Sequence, residues 1–190
     1  MSTPTQPALT ALLSLMATPT PADLGPGPRN GVTALSELRR QIDQSLSEAR
    51  LTDESAELIR ATLFLWHDHH DASHSISQDI DATSGSLVHG ILHRREPDYW
   101  NSKYWFRRVG PHPVYPEIAK RVKALLDQSG AKTLAAKLVP TGNWDVFAFV
   151  DVCEATAGKN SDATLLRDIQ RIETEVLLEH FLTTGGSSRS

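Results

Sequence analysis

Residues 164–183, TLLRDIQRIETEVLLEHFLT, carry the clearest sign of the fold. Their apolar side chains recur at steps of three and four residues and form one stripe: Leu165, Ile169, Ile172, Val176, Leu177 and Phe181. This spacing is the period of an amphipathic α-helix, which buries such a stripe against its neighbours. The pattern predicts a C-terminal helix that is capped by Ser161 or Asp162 and ends near Thr183.

The same helical period recurs upstream, and sustained period-two alternation is absent from the sequence. The best strand candidate, Val146 to Val152, fits a buried helix equally well. Segments with helical signals occupy residues 34–49, 53–78, 85–96, 99–108, 116–130, 131–138 and 143–157. We therefore predict an all-α fold, with a single compact domain of six to eight helices over residues 34–184 and a flexible tail over residues 185–190.

Residues 1–33 differ from the rest because they hold six of the eleven prolines. Such a composition predicts an irregular Pro-rich N-terminal arm. Its apolar patch, Leu9 to Met16, favours a short helix that docks on a neighbour. A secretory signal is disfavoured, since no Lys or Arg precedes the patch and no small-residue cleavage motif follows it.

Composition excludes several classes of protein. The chain has 190 residues, a net charge of −4 and one cysteine, Cys153, so neither an intrachain disulfide nor a multi-thiolate zinc site can form. The acidic balance argues against nucleic acid as a partner. No apolar run approaches the roughly 18 residues of a membrane span. We expect a cytoplasmic protein with neither a nucleic-acid nor a membrane partner, and with Cys153 as a buried, inert thiol.

Six of the eight histidines fall between residues 67 and 93. On one continuous helix, His67, His70, Asp71, His74 and Gln78 would share a face. His89, His93 and Glu96 share a face of the next predicted helix, at i, i+4 and i+7. Two antiparallel helices joined at residues 79–84 would bring the two rows together.

The two rows predict a polar centre with nitrogen and oxygen ligands. The predicted metal ligands, or acid–base groups, are His70, His74, His89 and His93. Asp71 and Glu96 would orient the imidazoles or complete the coordination. Zinc, iron or manganese would suit such ligands. A metal-free active site and a purely structural polar network remain open alternatives.

Residues 94–112 combine five Lys or Arg residues with two acids and five aromatic residues. Arginine matches carboxylate and phosphate oxygens, and aromatic faces stack on planar groups. The segment predicts an anion-binding site for a small molecule, formed by Arg94, Arg95, Tyr99, Tyr104, Arg107 and Arg108. In the alternative interpretation, the arginines pair with acids of the same chain and the aromatic side chains fill the core.

Residues 63–115 resemble a family of uncharacterised bacterial and fungal proteins. The resemblance rests on HDASH at residues 70–74, on HGI followed by HRREPDY within residues 89–99, and on KYWFRRVG at residues 103–110 with His112 and Pro113. It implies no particular reaction, but it singles out the same histidine rows and the same basic aromatic segment.

These observations predict a small enzyme or ligand-binding protein with a His-rich, metal-bearing pocket and an Arg/aromatic anion-binding segment. The alternative is a non-catalytic ligand-binding or interaction module in which the same residues form a buried polar network. The sequence leaves open whether the protein is an enzyme.

Overall fold

The computed structural model describes residues 5–157 and 163–185, and these contain ten α-helices, one short 3-10 helix and no strand. The α-helices are α1 (Thr5–Leu15), α2 (Leu35–Leu46), α3 (Asp53–Trp66), α4 (His70–Gln78), α5 (Thr83–Arg95), α6 (Tyr99–Val109), α7 (Tyr115–Gln128), α8 (Lys132–Leu138), α9 (Val146–Thr156) and α10 (Thr164–Thr184); the 3-10 helix is Pro140–Gly142. The all-α class is confirmed. The candidate strand Val146 to Val152 lies in α9.

The predicted number of six to eight helices is too low for two reasons. Residues 5–15 of the arm form α1, and residues 16–33 hold no helix or strand. The helix predicted over residues 53–78 is two helices, α3 and α4, separated by residues 67–69. The predicted caps Ser161 and Asp162 and the tail residues 186–190 lie outside the described residues.

Helix α1 packs on α10 and α2. Leu12 is fully buried and Met16, just beyond the helix, is 5% exposed. The Trp66 indole at the end of α3 donates a hydrogen bond of 3.0 Å to the Met16 carbonyl oxygen. The arm is therefore joined to the core by apolar packing and by a buried hydrogen bond.

The break between α3 and α4 is centred on Asp68, whose φ of 63° lies in the left-handed region. Asp tolerates this region better than most residues. Its side chain is fully buried and accepts hydrogen bonds of 2.8 Å from Arg29 Nε and 2.6 Å from Arg95 Nη2. The same two arginines donate to the carbonyl oxygens of Trp66 and Leu65, which satisfies the open C-terminal end of α3.

Helix α5 is the central element that positions the histidines. Residues 85–95 of this helix are all buried, between α3, α4 and α6. Gly90 allows α6 to approach closely, because a Cβ at this position would lie 3.0 Å from the Phe106 ring. At the C-terminal end of α5, Arg94 forms an ion pair of 2.5 Å with Glu173 of α10. None of the helices in the described ranges is long and apolar enough to cross a lipid bilayer.

Candidate metal centre

Helices α4 and α5 bring three histidines together. His74 lies on α4, and His89 and His93 lie one turn apart on α5. One ring nitrogen from each lies within 4.8 Å of the other two. Two nitrogens bound to a tetrahedral zinc ion at about 2.0–2.1 Å lie roughly 3.3 Å apart. The ring nitrogens would therefore need to approach one another by about 1.5 Å at most to bind an ion.

The three histidines are buried to different degrees. His89 is 2% exposed and His93 is 7% exposed, whereas His74 is partly exposed. An open pocket of about 380 Å³ adjoins the cluster and is lined by Asp71, His74, Ser75, Gln78 and Glu96. The cluster is thus closed on the α5 side and reachable from solvent on the α4 side. Catalytic zinc sites combine three protein ligands with an open position in this way.

His93 is oriented by a residue on each side. Its Nδ1 lies 3.0 Å from Glu96 Oε2, although the two atoms are not well aligned as a hydrogen bond. Its Nε2 lies 3.1 Å from the side-chain nitrogen of Asn101, on α6. A carboxylate beside one ring nitrogen favours the proton there and leaves the other as an acceptor.

His89 is held between two rings. The Trp105 indole stacks on it at 4.0 Å between centroids and an interplanar angle of 12°, and the His93 ring stacks at 4.7 Å and 25°. Its Nδ1 is buried without a hydrogen-bond partner. Burial, together with the neighbouring His93 and His74, lowers the pKa of His89 to about 3. His89 is therefore neutral near pH 7, as metal ligation requires.

Acid is expected to destabilise the metal-free protein well above the range of carboxylate titration. Burial lowers the pKa of His89 to about 3, and burial with the nearby His180 lowers that of His112 to about 4. Unfolded histidines titrate near pH 6.5, so the unfolded state binds protons first. The contribution of the two neutral histidines to the free energy of unfolding is complete above about pH 6.5. It is lost as the pH falls toward 4, by up to about 1.4 kcal/mol per pH unit for each histidine.

This pH dependence can be measured by urea unfolding of chelator-treated protein at pH 7.5, 6.0 and 5.0. The variant His112→Asn removes one of the two groups and should show a smaller slope, since one proton fewer is taken up on unfolding. An unfolding free energy that stays constant from pH 7.5 to 5.0 would show that these histidines are already free to protonate in the folded state.

His70 lies apart from the three clustered ligand atoms. Its Nδ1 lies 3.2 Å from the Asp68 carbonyl oxygen, and its Nε2 is buried without a hydrogen-bond partner. Burial, followed by the nearby Arg95, lowers its pKa. Because the chain breaks at residues 67–69, His67 also leaves the predicted row, and its Nε2 lies 2.8 Å from the Leu15 carbonyl oxygen. Asp71 and Glu96 remain beside the cluster as lining residues of the pocket.

The structure separates the predicted anion-binding arginines into two pairs. Arg94 and Arg95 are 0% and 1% exposed, and each forms a buried ion pair, with Glu173 and with Asp68 respectively. Both guanidinium groups are therefore paired with carboxylates inside the protein, although Asp68 is shared with Arg29, as the alternative interpretation of this segment expects. Arg107 and Arg108, on the last turn of α6, are exposed.

The predicted tyrosines also differ in their surroundings. Tyr99 is half-buried next to Cys153, and burial is the main cause that raises its pKa. Tyr104 is 40% exposed and lies edge-on to Trp105 at 5.7 Å. The Arg108 guanidinium lies 5.0 Å from the centre of the Trp105 ring, and this indole also stacks on His89. Tyr104 and Arg108 are thus separated from the histidine cluster by one residue, because both contact Trp105 and Trp105 stacks on His89.

Sequence reasoning missed the roles of Asn101 and Trp105, which contact His93 and His89. A usable signal was present, because these residues are four apart and so share a face of α6. The chain matches no protein-family model, no curated protein and no solved structure. The chemistry of the centre is therefore inferred from its own geometry.

Proposed function

We propose that the protein binds one divalent cation, zinc, iron or manganese, through His74, His89 and His93. The observation that supports this most directly is the convergence of three imidazole nitrogens, within 4.8 Å of one another, beside an open pocket. Imidazole suits all three metals. The pKa of His89 is lowered and its Nδ1 has no hydrogen-bond partner, as expected of a neutral imidazole that is available to bind a cation.

The open side of the centre supports an enzymatic function, namely metal-assisted hydrolysis or hydration of a small molecule. A cation with an open position supplies a water of lowered pKa and polarises a bound carbonyl or phosphoryl oxygen. Glu96 positions His93 through the contact at Nδ1. Asp71 lines the pocket and is the carboxylate that we assign to proton transfer there. Arg108 and Tyr104, beside Trp105, would hold the anionic part of the substrate.

The competing interpretation is a structural polar network without metal. Glu96 and Asn101 already contact both nitrogens of His93, and Trp105 already stacks on His89. A network of this kind can fix the packing of α4, α5 and α6 without an ion. It predicts that added zinc binds only weakly and in no fixed ratio to the chain.

Calorimetric titration of chelator-treated protein with zinc chloride distinguishes the two. We expect one zinc ion per chain for the wild type, and an affinity at least about 100-fold lower for His74→Asn, because one of three ligands is lost. His70→Asn is the matched control, since His70 lies on the same helix outside the cluster. Equal losses in the two variants would contradict the proposed ligand set. Absence of stoichiometric binding to the wild type would support the structural network.

A further inference from the structure

Helix α6 presents an exposed face that carries two aromatic residues and an arginine. Trp100, Tyr104 and Arg107 are spaced by four and three residues, so they share one side of the helix, and all three are exposed. Trp100 is 73% exposed, more than any other large apolar side chain in the described part of the chain. The Tyr104 ring stacks on it at 6.3 Å between centroids. Tryptophan, tyrosine and arginine are the residues most typical of the centre of a protein–protein interface.

An open cavity of about 510 Å³ adjoins this face, where the end of α6 meets the beginnings of α7 and α9. Arg107 belongs to the face and also lines the cavity, and its guanidinium forms no ion pair within residues 5–157 and 163–185. Phe147, another exposed aromatic side chain, lies on the same cavity wall and is 38% exposed. An unpaired guanidinium and an aromatic ring are both favourable neighbours for an indole ring.

The spacing of Trp100 and Arg107 allows two copies of the chain to fill each other's cavities. These residues lie two turns apart on α6, about 10.5 Å along the helix axis at 1.5 Å per residue. When two α6 helices pack antiparallel about a two-fold axis midway between these positions, Trp100 of each copy lies opposite Arg107 of the other. The same contact then forms twice, as in any interface with two-fold symmetry.

The charges on α6 favour this antiparallel arrangement. Asp98 is exposed at the beginning of the helix and caps it, accepting a hydrogen bond of 3.2 Å from the Asn101 amide. Arg107 and Arg108 are exposed in the last turn. An antiparallel pair places the acidic end of each helix beside the basic end of the other and opposes the two helix dipoles. A parallel pair would instead place arginines beside arginines, so the face is complementary to itself in the antiparallel orientation alone.

We propose that the chain forms a two-fold symmetric dimer through α6, in which Trp100 of each copy enters the cavity of the other and packs on Arg107 and Phe147. The indole is the anchor of the interface, because an exposed tryptophan that fills a partner's pocket contributes a large share of binding energy. Arg108, which the proposed metal centre would use for its substrate, lies toward the edge of the face. The dimer goes beyond the metal-centre proposal, and it requires neither the cation nor His74.

Sedimentation velocity of the chelator-treated chain, measured over a range of protein concentrations, tests for the dimer. We expect the wild type to dimerise, and Trp100→Ala to raise the dimer dissociation constant at least about 10-fold, because the anchoring side chain is lost. Arg50→Glu is the control for a change of surface charge, since Arg50 is exposed in the loop between α2 and α3, outside the α6 face. It should leave the dissociation constant unchanged.

Two charged variants test whether Trp100 of one copy meets Arg107 of the other. Trp100→Arg opposes two arginines across the interface, and Arg107→Glu removes the cation from the cavity, so each alone should be monomeric where the wild type is dimeric. Mixed in equal amounts, they should form a dimer, since the new arginine of one faces the new glutamate of the other. Both replaced side chains are exposed, so the melting temperatures of the separate variants should stay close to that of the wild-type monomer.

Three results would overturn the proposal: a wild type that stays monomeric, a Trp100→Ala variant that dimerises as tightly as the wild type, or a mixture of the two charged variants that stays monomeric. His74→Asn should dimerise like the wild type, because His74 lies on α4, outside the interface. Failure of the dimer is therefore distinguishable from failure of the metal centre.

Discussion

Replacing Arg94 by methionine is expected to lower the free energy of unfolding by about 3–5 kcal/mol, since it leaves a buried carboxylate without its partner. Glu173 is 2% exposed, and both of its oxygens accept from the Arg94 guanidinium. Arg94 also lies 4.4 Å above the Phe149 ring. Burial raises the pKa of Glu173 even with the arginine present. Urea unfolding measures the loss.

Two further variants test whether the loss of unfolding free energy comes from the unpaired buried charge. The double variant Arg94→Met, Glu173→Leu removes both charges and should recover much of the lost stability, as replacement of a whole buried pair often does. Lys123→Met removes an exposed ion pair with Asp127 and should cost less than about 0.5 kcal/mol. A loss below about 1 kcal/mol for Arg94→Met would mean that this end of α5 is hydrated.

Replacing Asp68 by asparagine is expected to cost about 3 kcal/mol or more and to loosen the N-terminal arm. Asparagine also tolerates the left-handed conformation, so the substitution removes the charge without straining the backbone. Two arginines, Arg29 of the arm and Arg95 of α5, lose their shared counter-ion. Urea unfolding and limited proteolysis at Arg29 measure the two effects.

The pKa of Asp68 adds an acid dependence to this stabilisation. Burial raises this pKa, but the hydrogen bonds from Arg29 and Arg95 outweigh burial and hold it below its ordinary value. The stabilisation is thus present above the ordinary pKa of about 4 and is lost as the pH falls through the lower folded-state value. Asp43→Asn is the matched control, because Asp43 pairs with Arg60 at the surface. Similar losses of unfolding free energy in Asp68→Asn and Asp43→Asn would contradict a stabilising role for the buried carboxylate between α3 and α4.

The helices were predictable because their apolar periods are local properties of the chain. The break at residues 67–69 was not, since HDHHDASH contains neither proline nor glycine to mark it. The Asp68 carboxylate at this break pairs with Arg29 and Arg95, which lie 39 and 27 residues away. The partners of the residue at the break are therefore distant in sequence, and local patterns did not show where α3 ends.

The histidine cluster was partly predictable for a similar reason. The spacing of His89 and His93 and the turn before α5 suffice to bring His74 near them. Burial of Arg94 was not predictable, because its partner Glu173 lies 79 residues away. A basic composition does not distinguish an exposed guanidinium from a buried one whose partner is distant in sequence.

X-ray absorption at the zinc edge, on protein loaded with one equivalent of zinc, tests the central claim most directly. The account predicts three imidazole nitrogens at about 2.0–2.1 Å and an additional oxygen ligand from water in the open position. The same measurement on His74→Asn should show fewer imidazole ligands. A shell made of oxygen atoms alone, or one with a single imidazole, would contradict a metal centre formed by His74, His89 and His93.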